Sequence, residues 1–275
     1  MATPIDHPPV ALTIAGSDSS AGAGLQADLK TFAAHDVYGL CAVTSVVAEI
    51  PGKVVGWKAI DPELLRQQLE VLASGFPIAA VKTGMLANPL LVDVVCDFLE
   101  SHRQDCPLVV DPVMVASSGD RLLVDEAIAS YRSRLLPLAA LATPNLAETA
   151  VLLDREIEAV SGMDMAMAAK AFSDRYGCPV LIKGGHWQSG DEAVDLLWDG
   201  KSVHRYSAPR MIGVDTHGTG CTLSAAIAAN LARGLALPLA IEKAKHYITA
   251  AIEQAHVWTG EGAIRALNHF PEALG

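Results

Sequence analysis

Thr216-His217-Gly218-Thr219-Gly220-Cys221 runs directly into an apolar helical stretch, and no other segment combines so many chemically useful residue types in so few positions. Glycines at 218 and 220 let successive backbone N–H groups turn into one concavity, and the helix that follows adds the positive end of its dipole. That combination is an anion site, suited to the oxygens of a transferring phosphoryl group. Cys221 falls at the start of the helix, where a thiol tends towards thiolate. The competing reading of the same residues is a glycine-rich turn ahead of a core helix with an inert cysteine.

Other chemistry-bearing residues sit at the ends of apolar runs. The first run, Val10–Ala15, leads into Gly16 and the small, polar stretch Ser17–Gly24, with Asp28 on the helix beyond. Strand ends of this kind are where open α/β sheets bind ligands, although the pattern is neither a Rossmann nor a Walker fingerprint. Asp111 closes Leu108–Val110, and Glu148 lies in Thr143-Pro144-Asn145-Leu146-Ala147-Glu148. Two carboxylates near a phosphate cradle could hold Mg²⁺ directly or through water; singly, each reads first as a turn or first-turn acid, and it is their arrival with the Gly218–Cys221 loop that shifts the balance. Lys82 and Lys183 also end apolar runs and could meet phosphate, or pack their stems while their heads reach solvent.

The elements that must position these residues alternate along the chain. Val10–Ala15, Cys41–Ala48, Ile78–Val81, Leu108–Val110, Leu138–Ala142 and Pro179–Ile182 are expected strands. Asp61-Pro62 and Asn88-Pro89 each set a capping side chain before a proline suited to the first helical turn, and Ser161 is expected to cap a helix ending near Gly177. Asp199-Gly200 marks a hairpin between Ala193–Trp198 and Ser202–Tyr206, followed by helices over Gly218–Leu235 and Leu239–Trp258. Such β–α alternation predicts an α/β fold with a mostly parallel sheet covered on both faces. With no repeat and no dividing linker, residues 1–275 read as one domain, 1–9 as a flexible N-terminal extension.

Composition agrees. Hydrophobic residues are 51% and charged residues 19% of 275, the profile of a globular chain. Twenty basic against 31 acidic residues give a net charge of −11, which weighs against nucleic-acid or anionic-membrane surfaces. No stretch approaches the roughly 18 apolar residues of a membrane helix. Five scattered cysteines without Cys-x-x-Cys fit a reducing cytoplasm and argue against a disulfide framework or structural zinc.

Taken together, Ala15-Gly16-Ser17-Asp18, Gln26–Lys30, Lys82-Thr83-Gly84-Met85, Asp111–Met114, Thr143-Pro144-Asn145, Lys183–His186 and Thr216–Cys221 resemble the hydroxymethylpyrimidine/phosphomethylpyrimidine kinases of thiamine biosynthesis, in the ribokinase superfamily. The resemblance covers nearly the whole chain. It implies a three-layer α/β/α ribokinase-like fold, a homodimer, and transfer of the ATP γ-phosphoryl group to the pyrimidine hydroxymethyl group or its monophosphate. By motif it makes Cys221 the base and Gly218, Thr219 and Gly220 the oxyanion pocket. It places Asp111 and Glu148 in the Mg²⁺ network, and Lys183, Asn145, Thr216 and His217 on the ATP side. Gly16, Asp28, Glu49, Met85 and Val113 fall to the pyrimidine pocket.

Two positions depart from that family. Ser19-Ser20-Ala21-Gly22 stands where it usually has a Pro and a Gly pair, and Glu49 stands where it usually has Gln. An aminopyrimidine edge pairs an amino donor with a ring-nitrogen acceptor; Gln complements both, whereas ionised Glu only accepts. Either a proton is shared at Glu49, or the preferred substrate differs, or the side chain points elsewhere. The rival readings are a pyridoxal kinase of the same fold, a non-catalytic pyrimidine-binding protein, and a thiol redox protein using Cys221.

Overall fold

Strand-forming apolar runs and capped helices alternate as the sequence leads one to expect. A computed structural model describes residues 7–102, 106–114, 125–161, 163–185, 191–211, 217–259 and 264–272. The chain begins with β1 (Val10–Gly16), α1 (Gly24–Ala34), β2 (Tyr38–Ile50), β3 (Lys53–Ala59), α2 (Pro62–Gly75), β4 (Ile78–Thr83), α3 (Pro89–His102) and β5 (Leu108–Val110). It continues with α4 (Asp125–Ser130), β6 (Leu141–Ala142), α5 (Leu146–Leu153), α6 (Ile157–Ser161), α7 (Met165–Tyr176), β7 (Val180–Gly184), β8 (Glu192–Trp198) and β9 (Val203–Pro209). The last elements are α8 (Thr219–Ala232), α9 (Leu237–Glu253), β10 (His256–Trp258) and β11 (Ile264–Ala266).

Nine strands form one sheet in the order β3-β2-β1-β4-β5-β6-β7-β8-β9. Its centre, from β2 through β7, is parallel, and β3, β8 and β9 join antiparallel at the two edges. Strand side chains alternate between two cores. Val10, Leu12, Ile14, Leu108, Val110, Val180 and Ile182 pack with α2, α3, α5 and α7, while Ala11, Val109 and Leu181 pack with α8 and α9. Burial on both faces explains why these strands read as continuous apolar runs. The direction of winding reverses between β1 and β4, which opens a crevice at the carboxyl ends of the central strands.

Local signals set the helix ends. Asp61 accepts from the amides of Glu63 at 2.9 Å and Leu64 at 3.3 Å, with Pro62 opening α2. Asn88 accepts from the Leu91 amide at 3.0 Å ahead of α3. Asp164, not Ser161, caps α7; Ser161 is the last residue of α6, and α7 stops at Gly177 with φ +72°. The expected strand Leu138–Ala142 shrinks to β6, because Pro137 draws Leu136–Leu138 into a tight 3₁₀ turn. The expected helix Leu239–Trp258 is α9, which ends at Glu253; His256–Trp258 instead pairs antiparallel with β11. Gly218 caps α8 rather than lying within it. Of the expected N-terminal extension, residues 1–6 lie outside the described residues.

Candidate active site

Five central strands deliver polar residues to one edge. Gly16 ends β1, Lys82 and Thr83 end β4, Asp111 follows β5, Thr143 and Asn145 follow β6, and Lys183 lies near the end of β7. The start of α8 closes over them, leaving a cleft of about 190 Å³. Among the expected site residues, Gly16, Glu49, Met85, Asp111, Val113, Asn145, Glu148, Lys183, His217, Gly218, Gly220 and Cys221 all line it.

Gly218 holds φ at +82°, and a Cβ there would run into the carbonyl oxygen of Gly22. Only glycine fits, so the loop after β1 and the head of α8 approach backbone to backbone. At Gly220 a Cβ would sit 3.1 Å from Lys183 Nζ and 3.7 Å from an Asp111 oxygen. The bare backbone thus leaves room between the helix start and the charged floor. Thr219 is not among the cleft-lining residues, and its buried hydroxyl has no hydrogen-bond partner among the described residues. Thr216 lies outside the described residues.

The charged floor is a network. Lys183 Nζ donates to Asp111 Oδ1 at 2.8 Å, and Ser224 Oγ donates to Asp111 Oδ2 at 3.2 Å. Burial alone would raise the Asp111 pKa, yet Lys183 and Lys82 outweigh it and hold the carboxylate ionised. Glu148 accepts from the Asn145 amide, and Asn145 Oδ1 accepts from the Glu148 amide, both at 2.8 Å. This capping box starts α5 and turns Glu148 towards the cleft. Burial, reinforced by Asp111 and opposed by Lys183, pushes Glu148 up to about 7. Two carboxyl groups and surrounding oxygen donors form a set that fits a hard divalent cation.

Cys221 is half-buried at the first turn of α8. Lys82 and the Gly24 amide favour its thiolate, but burial is the largest effect, and with Asp111 and Asp28 it pushes the thiol up to about 11. Burial therefore overrides the helix-terminal effect expected from sequence.

Asp28 does not reach the cleft. Its carboxylate is fully buried beneath it, 2.8 Å from Lys82 Nζ and 2.5 Å from the Thr13 hydroxyl. Lys82, expected either at phosphate or reaching solvent, lines the cleft with its Nζ paired to this carboxylate, for a buried charge needs a partner. His217 lines the cleft, with Nε2 3.0 Å from Asp18 Oδ2. Asp18 also accepts from the amides of Ser20, Gly22 and Ala23, at 2.7, 3.0 and 2.8 Å. Burial would raise Asp18, but these donors bring it down to about 2, with His217 contributing most. The sequence reading missed Asp18 and Ser224 as members of the site. An Asp followed by small residues in a strand–helix loop was the available signal for Asp18.

Known proteins resemble the chain over most of its length. The family model described as phosphomethylpyrimidine kinase matches residues 18–265. A hydroxymethylpyrimidine/phosphomethylpyrimidine kinase of Streptomyces coelicolor is 46% identical over 251 residues, 91% of each chain. Among solved structures, an ADP complex of Bacillus subtilis pyridoxal kinase superposes with a TM-score of 0.83 at 35% identity, covering 94% of this chain and 96% of that one. A phosphomethylpyrimidine kinase of Clostridium difficile superposes at 0.76 and 35% identity, covering 88% and 99%.

Proposed function

The chain belongs to the phosphomethylpyrimidine kinase family, and from that membership we propose how its cleft transfers the ATP γ-phosphoryl group to hydroxymethylpyrimidine or its monophosphate in thiamine biosynthesis. Curated relatives carry both kinase activities in their name, whereas pyridoxal kinases enter as structural neighbours. The observation that carries the mechanism is the meeting of the Gly218–Gly220 backbone, Cys221 and the Asp111–Lys183 pair around one cleft.

In this reading the N–H groups at the head of α8 face the phosphoryl oxygens as charge develops on them. Lys183 reaches the same space from β7 and adds positive charge. Cys221 Sγ accepts the proton of the substrate hydroxyl as the new O–P bond forms and the bond to ADP breaks. A thiol pushed up to about 11 is a strong proton acceptor once ionised, and Lys82 and the Gly24 amide offset part of the cost that burial sets on ionising it. Asp111 and Glu148 would hold Mg²⁺, which supplies charge neutralisation on the nucleotide phosphates when bound. Gly16, Val47, Glu49, Met85 and Val113 form the side of the cleft that takes the pyrimidine. Asp28 acts from below as a positioning residue, through Lys82. The same reading, by family resemblance, makes the protein a cytoplasmic homodimer; among the described residues no helix is long and apolar enough to cross a membrane.

ADP release with Mg²⁺-ATP tests the proposal against three acceptors: hydroxymethylpyrimidine, its monophosphate and pyridoxal. Turnover of either pyrimidine is expected, with loss in Cys221→Ala. Turnover of pyridoxal alone would transfer the cleft to the other vitamin, and silence on all three would overturn the reading.

A further inference from the structure

Glu49 is held with unusual care for a residue near the edge of a sheet. The β2–β3 register slips between Ala48 and Glu49, a bulge of the kind that re-aims a side chain. Ser19 then clamps the bulged backbone from both sides, its hydroxyl donating to the Glu49 carbonyl at 2.7 Å and accepting from the Glu49 amide at 2.8 Å. The carboxylate lines the cleft, with an oxygen within 4.8 Å of the facing atoms of Asp18 and His217. Asp18 is filled by donors, but the half-buried Glu49 carboxylate accepts no hydrogen bond among the described residues. It is an acceptor waiting for a ligand.

The ligand edge is chemically demanding. An aminopyrimidine presents an amino N–H beside a ring nitrogen with a lone pair. An ionised carboxylate satisfies the first and sets two lone pairs against each other at the second. One proton between the other carboxylate oxygen and the ring nitrogen turns that repulsion into a second hydrogen bond. We propose that Glu49 reads the aminopyrimidine edge through such a shared proton, so that substrate binding takes up about one proton from solvent. The inference rests on the pyrimidine kinase reading above.

The charges around Glu49 support it. Burial and the neighbouring Asp18 carboxylate raise its pKa, and His217 opposes them. On the adjoining strand β3, Lys53 and Lys58 are exposed. The other ionisable groups of the cleft are Lys82, Asp111, Glu148, Lys183 and Cys221. Asp18 is the negative group that makes an ionised Glu49 costly, so a proton is readily accepted there.

The test is calorimetric titration of the full chain with hydroxymethylpyrimidine at pH 8.5, in two buffers of different ionisation enthalpy. Uptake of about one proton is expected for the wild type and close to none for Glu49→Gln, which brings its own donor. KM for the pyrimidine should rise about tenfold per pH unit above neutrality in the wild type and stay flat in Glu49→Gln. From pH 7 to pH 9 the wild-type KM should therefore rise about 100-fold relative to that of the variant. Glu49→Ala should lose affinity at every pH. Turnover without proton uptake, or parallel KM profiles for wild type and Glu49→Gln, would overturn the shared proton while leaving the kinase intact. Turnover of pyridoxal alone would overturn both.

Discussion

Lys82 Nζ lies 2.8 Å from Asp28 Oδ2, and neither side chain reaches solvent. The pair ties the end of β4 to α1 directly under the cleft, with the Thr13 hydroxyl of β1 as a third member. Asp28 holds Lys82 protonated against the pull of burial, with Cys221 and Asp111 assisting. A positive charge is thereby fixed in the field of the Cys221 thiol without being offered to solvent.

Removing either partner leaves a buried charge alone, at a cost of about 3–5 kcal/mol. Asp28→Asn and Lys82→Met should each lose that much in urea unfolding. The apolar double variant Asp28→Leu/Lys82→Met should lose much less than the sum. Additive losses in the double-mutant cycle would mean that the two residues stabilise the fold independently.

Gly218→Ala asks an L-residue to hold φ at +82° with its Cβ against the Gly22 carbonyl. The backbone strain alone costs about 1–3 kcal/mol, and relief of the clash must push the loop after β1 away from α8. A lower melting temperature is expected, with turnover reduced about 100-fold because the proposed phosphoryl cradle opens. Gly177→Ala is the control: its φ is +72° but its Cβ meets nothing within 4 Å, so its loss should be in stability alone. Equal turnover in the two variants would deny Gly218 a part in the site.

For Cys221, a thiol pushed up to about 11 carries little thiolate at neutral pH. Iodoacetamide should label it slowly at pH 7.5, with the rate climbing about tenfold per pH unit towards 10, as read by peptide mass mapping. Fast labelling at pH 7 would mean that the helix head and Lys82 overcome burial. Cys221→Ala should reduce turnover about 100-fold or more without changing the unfolding midpoint.

The parallel core was legible because both faces of its strands are buried, so Val10–Gly16, Leu108–Val110 and Val180–Gly184 read as apolar runs. Most of the cleft was legible too, since its residues lie at strand ends where packing gives no reason for Asp, Asn or Lys. What was not legible depended on partners distant in sequence. Asp28 looked like a pocket residue until Lys82, 54 positions away, claimed it. The far end of α9 kept its apolar pattern to Trp258, but pairing with Ile264–Ala266 captured the last three residues as a strand. The helix position of Cys221 likewise said nothing of the surroundings that raise its thiol.

Glu148→Gln keeps an acceptor for the Asn145 amide, so the capping box and α5 should survive, with the melting temperature nearly unchanged. The variant loses the negative charge offered to a cation in the cleft. The Mg²⁺ concentration giving half-maximal ADP release should rise about 10- to 100-fold. An unchanged Mg²⁺ profile would remove Glu148 from the metal network and leave it a helix cap.

His269 provides a prediction in acid. It is buried against α8, with Nε2 3.2 Å from Thr222 Oγ1, one residue beyond Cys221, and its carbonyl accepts from the Tyr247 hydroxyl at 2.8 Å. Burial, with Lys30 and His256 adding repulsion, lowers its pKa to about 4. Between pH 6.5 and 4 the unfolded chain binds a proton that the folded chain refuses, so stability contributed by the neutral ring is full above 6.5 and lost as pH falls. Across that window the loss reaches about 3 kcal/mol. Glu148, pushed up to about 7, titrates over an overlapping range with the opposite sign, because its folded form binds the proton first. The quantity to measure is therefore the difference in urea unfolding free energy between wild type and His269→Gln, at pH 7 and pH 4.5. The wild type should lose more stability than the variant on acidification. Parallel curves would mean that His269 accepts its proton in the folded state, with the segment after β11 loosening from α8 to admit it.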